Sequence, residues 1–135
     1  MRKDAIEKLN EIDWEKIASF GLTNDEEPTN LINMLNYNQK GILVTLGTLV
    51  EQMVNHICKS SDLGIEKNLI NNMEKLKESG AIPEAQLIAM HSIRKARNEK
   101  LHGKNEIKDV ESYVLGNLLL FVDVTKWFLE NYVNM

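Results

Sequence analysis

Cysteine and long hydrophobic runs are scarce in this chain of 135 residues. The single cysteine, Cys58, cannot form a disulfide within the chain, which suits a reducing cytosol, and its neighbours Val54 and Ile57 favour a core position. The longest apolar run, Leu118 to Val122, falls far short of the roughly 20 residues of a membrane helix. The N-terminus is charged and has no apolar signal core. We therefore expect a cytoplasmic chain without a membrane span.

Residue patterns that bind metals or cofactors are also absent. The three histidines, His56, His91 and His102, are scattered, no cysteine pair is present and no His-Glu-x-x-His segment occurs. There is no glycine-rich phosphate loop and no Gly-x-Ser-x-Gly nucleophile elbow. We therefore expect neither a metal site nor a cofactor.

The charge distribution is uneven. A net charge of -4 argues against a protein whose whole surface binds nucleic acid. One short segment nevertheless carries five basic residues opposed only by Glu99: Arg94, Lys95, Arg97, Lys100 and Lys104. Two explanations stay open. Such a run can form a local RNA-binding patch, and it can equally reflect the preference of a helix C-terminus for basic side chains.

Apolar residues recur at helical spacing along most of the chain and predict an all-α fold. We expect helices at about residues 4–20, 30–60 (bent near Gly41 or Gly47), 83–101 and 107–132, with a loop over 22–29. A further short helix should place Leu69, Met73 and Leu76 inward and be stopped by Gly80. No segment alternates with a period of two, so we expect no sheet. Short connections between long helices predict an up-and-down bundle of about five helices. The expected organisation is one domain over 1–135, with an N-terminal helix and loop in 1–35 and a core bundle in 36–135.

Arg97 occupies an unusual position on the helix that follows Pro83. Leu87, Met90, Arg94, Arg97 and Leu101 recur at spacings of three and four, which places Arg97 within the apolar stripe. An arginine at such a position costs several kcal/mol unless it is paired, and departures of this kind often mark functional sites. A structural explanation is also open, in which Arg97 pairs with Asp123 or Glu51.

The neighbouring residues Asn98 and His102 are four positions apart and share one face of the same helix. Arg97 and His102 are five apart, so they point roughly 140° away from each other on a continuous helix. They can meet if the helix frays at His102, before Gly103, or if two copies of the segment meet in a dimer. Alternatively, His102 simply stabilises the helix C-terminus.

The pair Arg97-Asn98, three intervening residues and His102 match the R-x4-H pattern of the HEPN superfamily. The sequence of the surrounding predicted helices, over about residues 40 to 130, resembles uncharacterised bacterial HEPN-like domains and the mannitol-operon repressor family. The resemblance implies a helical bundle that dimerises by packing its motif helices together. It also implies metal-independent RNA cleavage in a cleft lined by arginine and histidine from both chains.

Carried over by position, the resemblance implies three catalytic residues. His102 would act as general base or acid on the ribose 2′-hydroxyl and the leaving oxygen, Arg97 would hold the scissile phosphate, and Asn98 would orient the histidine or the phosphate. The supporting contacts to the RNA backbone come from the basic run and are not family-defined: Arg94, Lys95, Lys100 and Lys104.

The first functional hypothesis is therefore a homodimeric endoribonuclease, a toxin or phage-defence effector, with RNA as substrate and an antitoxin or regulatory protein as a further partner. Some HEPN toxins carry a modifiable tyrosine two residues after the histidine, where this chain has Lys104, so that form of control does not carry over. The second hypothesis is a non-catalytic interaction module, because the mannitol-repressor relatives act through protein contacts. In that case Arg97 forms an interface ion pair and His102 caps the helix.

Overall fold

The computed structural model of the protein describes residues 2–19, 27–102 and 109–133, with the backbone alone at residues 27, 100–102 and 133. The described residues contain no strand. They form seven α-helices: α1 (Arg2–Glu11), α2 (Trp14–Ser19), α3 (Glu27–Tyr37), α4 (Gln39–Ser60), α5 (Leu69–Ser79), α6 (Glu84–His102) and α7 (Val110–Phe128), the last continuing into a π-helical turn (Leu129–Val133). The predicted all-α class is confirmed for this part of the chain.

The core lies where α4, α6 and α7 pack against one another. As its apolar pattern predicts, α4 is buried on more than one side, and Cys58 near its end is fully buried. Burial raises the pKa of the Cys58 thiol, as expected for a core residue and not for a reactive thiolate. From α7, Phe121 and Phe128 are the largest of the fully buried side chains in the described structure. The helix that carries Arg97 is thus packed between two buried helices.

The first predicted helix is divided into α1 and α2 by side-chain hydrogen bonds. The indole of Trp14 donates to the carbonyl oxygen of Leu9 at 2.8 Å, near the end of α1, and the same oxygen accepts from the backbone N–H of Ile12 at 3.3 Å. Asp13 accepts a hydrogen bond from the backbone N–H of Lys16 at 3.1 Å and so caps the start of α2. The prediction of one continuous helix over 4–20 is wrong for this reason.

The second long helix is also divided, at a point close to Gly41, one of the two positions at which a bend was predicted, and it is continuous at Gly47. The break falls at Asn38, whose side chain accepts from the backbone N–H of Gly41 and caps α4. Both glycines lie inside the continuous helix α4. These two divisions explain why the described residues hold seven helices where about five were expected.

The other predicted helix boundaries agree closely with the structure. Gly80 ends α5 in the left-handed conformation, at φ 75°, which a glycine adopts without strain. Helix α6 follows Pro83 and runs to His102, and α7 begins after Asp109, which accepts from Ser112 N–H. The predicted loop over 22–29 is wrong at its end, where α3 already begins at Glu27, and the rest of it lies outside the described residues.

The N-terminal helices contribute to the same core. The ring of Trp14 stacks against Phe121 of α7 with centroids 6.3 Å apart. Arg2 of α1 pairs with Glu111 of α7, and this hydrogen bond lowers the pKa of the Glu111 carboxyl. Lys126 and Glu11 form a second link at 2.9 Å. Helices α1 and α2 are therefore packed on α7, not attached to the bundle by a tether.

One segment of the described chain, Val110–Tyr132, is long and apolar enough by length and composition to cross a membrane. Of the window that meets this test, 56% is buried inside the structure. The burial corresponds to the packing of α7 against α4, α6 and α1.

Candidate nucleic-acid interface

Arg97 lies against α4 at the point where Gly47 leaves room for it. A Cβ atom built on Gly47 would lie 2.5 Å from Arg97 Cδ and 2.8 Å from Arg97 Cβ, too close for a real contact. Glycine inside a helix costs about 0.5–1 kcal/mol relative to alanine. At Gly47 the missing side chain allows the aliphatic part of Arg97 to approach α4 closely. The Arg97 side chain is only 17% exposed.

The guanidinium of Arg97 faces a carboxylate of its own chain. Arg97 Nη2 is 3.7 Å from Glu51 Oε2, and the Glu51 side chain is 41% exposed. Of the two partners considered from the sequence, the structure shows Glu51. The separation exceeds hydrogen-bond reach, and pairs this exposed contribute about 0–1 kcal/mol. The ion pair therefore positions the Arg97 side chain, but it does not engage the guanidinium N–H groups in a hydrogen bond.

The Arg97 side chain lines a polar pocket of about 500 Å³, which we name the basic pocket. Its lining residues come from α4, α6 and the start of α5: Glu51, Lys67, Asn68, Leu69, Ile70, Arg94, Arg97 and Asn98. Three cationic side chains thus face one carboxylate. Asn68 caps α5 by accepting from the backbone N–H of Ile70 at 2.9 Å, so the positive end of that helix dipole lies at the pocket as well. This arrangement suits an anion such as a phosphate.

Three of the residues singled out from the sequence, Arg94, Arg97 and Asn98, line this pocket together. Lys95 is exposed and lies outside it. The side chains of Lys100 and His102, and the whole of Lys104, lie outside the described residues, so their predicted roles stay predictions.

The backbone of α6 continues to His102. Arg97 and His102 therefore stand five positions apart on one helix. Their convergence on a single phosphate stays a prediction. Because residues five apart on a continuous helix point in different directions, this convergence requires the motif of a second chain.

A second pocket, of about 610 Å³, lies on the other side of Arg94 and is called here the Glu99 pocket. It is lined by Ile88, His91, Ser92, Arg94, Lys95, Glu99 and Tyr113. The hydroxyl of Tyr113 donates to Glu99 Oε2 at 2.8 Å. Burial, followed by this hydrogen bond and the charge of Glu99, raises the pKa of Tyr113 to about 12. Tyr113 is therefore a neutral donor at physiological pH.

The polar groups around the Glu99 pocket are fixed by further hydrogen bonds. The buried Asn117 donates from Nδ2 to the carbonyl oxygen of Tyr113 at 3.0 Å and accepts from Ser92 Oγ at 3.1 Å. Burial and the nearby Arg94 lower the pKa of His91, which keeps its imidazole neutral at pH 7. The pocket thus offers one anionic acceptor, Glu99, held in place by α7.

Arg94 belongs to both pockets and forms the wall between them. Its Nε atom is buried and has no hydrogen-bond partner within the described structure. A buried donor without a partner is costly, by about 1–3 kcal/mol. An acceptor supplied by a ligand in either pocket would remove that cost.

Several residues of these pockets were missed in the sequence. Lys67 and Asn68 precede α5 and lie far from Arg97 along the chain, and only the packing of α5 brings them to it. The helix-capping asparagine was a recognisable signal, but nothing in the sequence linked it to α6. Glu99 was noted only as the lone acid in the basic run, and its pairing with Tyr113 had no sequence signal.

A cluster of at least three His, Cys, Asp or Glu side chains able to hold a metal ion is not found among the described residues. The described part of the chain is all-α, and its helix α6 lines two pockets, of which the basic pocket is mostly polar and the Glu99 pocket mostly apolar.

The model of a domain of unknown function (DUF4145) matches residues 29–128, and the chain belongs to that family. The match runs from α3 to the end of α7 and includes every residue that lines the two pockets. No curated protein and no solved structure matches the chain.

Proposed function

We propose that the protein is a HEPN-type endoribonuclease that binds an RNA phosphate in the basic pocket and cleaves the strand without a metal ion. The observation that carries the proposal is the convergence of Lys67, Arg94 and Arg97 on one pocket at the start of α5. A phosphate there gains charge-assisted hydrogen bonds from the guanidinium groups and the favourable end of a helix dipole.

The proposed chemistry uses side chains of two copies of the chain. One His102 takes the proton of the ribose 2′-hydroxyl, and the 2′-oxygen attacks the phosphorus. The bond to the 5′-oxygen breaks, and the second His102 returns a proton to that leaving oxygen. Arg97 stabilises the charge that builds on the phosphate oxygens, and Asn98 orients the phosphate or the histidine. The products are a 2′,3′-cyclic phosphate and a 5′-hydroxyl end.

The proposal includes a homodimer that packs one α6 against another. Arg97 and His102 are five positions apart on α6, so a partner copy supplies the missing group. Lys95, exposed on α6, and Lys100 and Lys104 further along the chain would then contact the RNA backbone. In this proposal the protein acts in the cytoplasm as a toxin or phage-defence effector, restrained by an antitoxin or regulatory protein.

A second candidate function is a non-catalytic interaction module. The observation that favours it is the ion pair between Arg97 and Glu51 within one chain, which gives the arginine a structural role. In that function the homodimer or a partner protein uses the surface of α6, and the basic pocket binds no RNA.

Replacing Glu51 with glutamine separates the two candidates. Under the nuclease proposal, Glu51 competes with phosphate for Arg97, so the variant should bind RNA about two- to fivefold more tightly, the effect of a pair worth up to about 1 kcal/mol. The measurement is fluorescence anisotropy with a labelled 2′-O-methyl RNA, which lacks the attacking hydroxyl, in excess chelator.

The matched control is Glu15→Gln, which changes the net charge equally on the exposed surface of α2. It should leave the affinity within twofold of wild type. Unchanged RNA affinity in Glu51→Gln, together with a lower unfolding temperature, would support the interaction module instead.

A further inference from the structure

The Glu99 pocket is not used by the phosphate in the proposed function, although it shares Arg94 with the basic pocket. Its volume of about 610 Å³ falls within the roughly 300–1,000 Å³ typical of small-molecule sites. Its wall combines apolar surface, including Ile88 with 63% of its surface exposed, with a few fixed polar groups. Ligand pockets commonly have this composition.

Glu99 is the group that determines which ligand fits. An ionised carboxylate only accepts hydrogen bonds, at about four lone-pair positions, and Tyr113 occupies one of them. The hydrogen bond from the Tyr113 hydroxyl constrains the orientation of the Glu99 carboxylate. A fixed acceptor of this kind favours a flat ligand edge with two adjacent donors and disfavours an edge that presents an acceptor.

We propose that the Glu99 pocket is a nucleobase subsite that selects guanine, which presents its N1–H and its amino group to Glu99 while the phosphate of the same strand lies in the basic pocket. The Watson–Crick edges of adenine and cytosine each place an acceptor nitrogen beside a single amino group. Uracil offers one N–H between two carbonyl oxygens. Only guanine presents two neighbouring donors to the carboxylate. This inference rests on the proposed function, because it places one RNA strand across both pockets.

Arg94 connects the two subsites. Its buried Nε lacks a partner in the described structure, and the residue lines both pockets. A guanidinium has five N–H donors in a fixed fork, enough to contact a phosphate oxygen on one side and a ribose or base acceptor on the other. Lys95 adds a positive charge at the Glu99 pocket, where it opposes repulsion between Glu99 and the strand.

The test is isothermal titration of the full-length protein with guanosine 5′-monophosphate, adenosine 5′-monophosphate and inorganic phosphate, for wild type, Glu99→Gln and Arg97→Ala. Wild type should prefer the guanine nucleotide by at least about tenfold, as expected of a good bidentate base contact. Glu99→Gln should reduce this preference to below threefold. Glu78→Gln is the matched control on the exposed face of α5 and should retain it.

The outcomes separate this inference from the proposed function. Equal binding of both nucleotides to wild type, lost in Arg97→Ala, would overturn the guanine subsite and leave the phosphate site standing. A guanine preference that persists in Glu99→Gln would overturn the role of Glu99. Failure of wild type to bind either nucleotide or inorganic phosphate would overturn the inference together with the proposed function.

Discussion

Replacing Arg97 with alanine should slow RNA cleavage by about 10²–10³-fold, the usual cost of removing one group that stabilises a charged transition state. Arg97 is the arginine of the motif, and it lines the basic pocket next to Asn98. Its contact with Glu51 is long and the Glu51 side chain is 41% exposed, so the loss of that ion pair should change the free energy of unfolding by about 1 kcal/mol or less. The measurement is the initial rate of cleavage of a labelled RNA in excess chelator.

Two further variants make the result specific. Arg97→Lys keeps the charge but loses the planar fork, and it should recover only part of the rate. Lys8→Ala removes one positive charge from the exposed surface of α1, outside the residues that line either pocket, and should leave the rate within twofold. A rate for Arg97→Ala close to that of wild type would contradict the role given to Arg97.

Replacing Trp14 with alanine should lower the free energy of unfolding by about 3–5 kcal/mol, as truncation of a large buried aromatic side chain does. Trp14 is 7% exposed, stacks on Phe121 and donates to the carbonyl oxygen of Leu9. A loss of this size is a large share of the roughly 5–15 kcal/mol that stabilises a typical domain. Denaturant unfolding followed by circular dichroism measures it.

Tyr37→Ala is the control for that experiment, since Tyr37 is 88% exposed and its truncation should cost less than about 0.5 kcal/mol. The comparison tests whether α1 and α2 belong to the core, although they precede the segment matched by the family model. A loss below about 1 kcal/mol in Trp14→Ala would mean that these helices contribute little to the stability of the bundle.

Helical periodicity predicted most of the fold, because apolar residues spaced at 3.6 positions are a property of the sequence itself. The breaks at Asp13 and Asn38 depend on hydrogen bonds that these side-chain oxygens accept from backbone N–H groups. Such bonds offer the backbone an alternative to a continuous helix, and here tertiary contacts accompany the first break. Trp14 shows this directly, because the bond to Leu9 and the packing on Phe121 occur together.

The candidate site was predictable only where it lies on one helix. Arg94, Arg97 and Asn98 are neighbours on α6, so the sequence alone placed them together. Other lining residues, such as Lys67 before α5 and Tyr113 of α7, reach the pockets through packing between helices. The role of Gly47 also depends on packing between helices and could not be predicted from the sequence. The sequence suggested a bend at Gly47, whereas the structure shows that this glycine leaves space for Arg97.

The central claim, metal-independent cleavage by the Arg97–His102 motif, is tested most directly by an RNA-cleavage assay in excess chelator that compares wild type with His102→Ala. We predict that wild type cleaves under these conditions and that the variant loses about 10²–10⁴-fold in rate, the contribution of a general acid or base. Both proteins should sediment as folded dimers. Absence of cleavage by a folded, dimeric wild type across several RNAs, or an undiminished rate in His102→Ala, would contradict the claim.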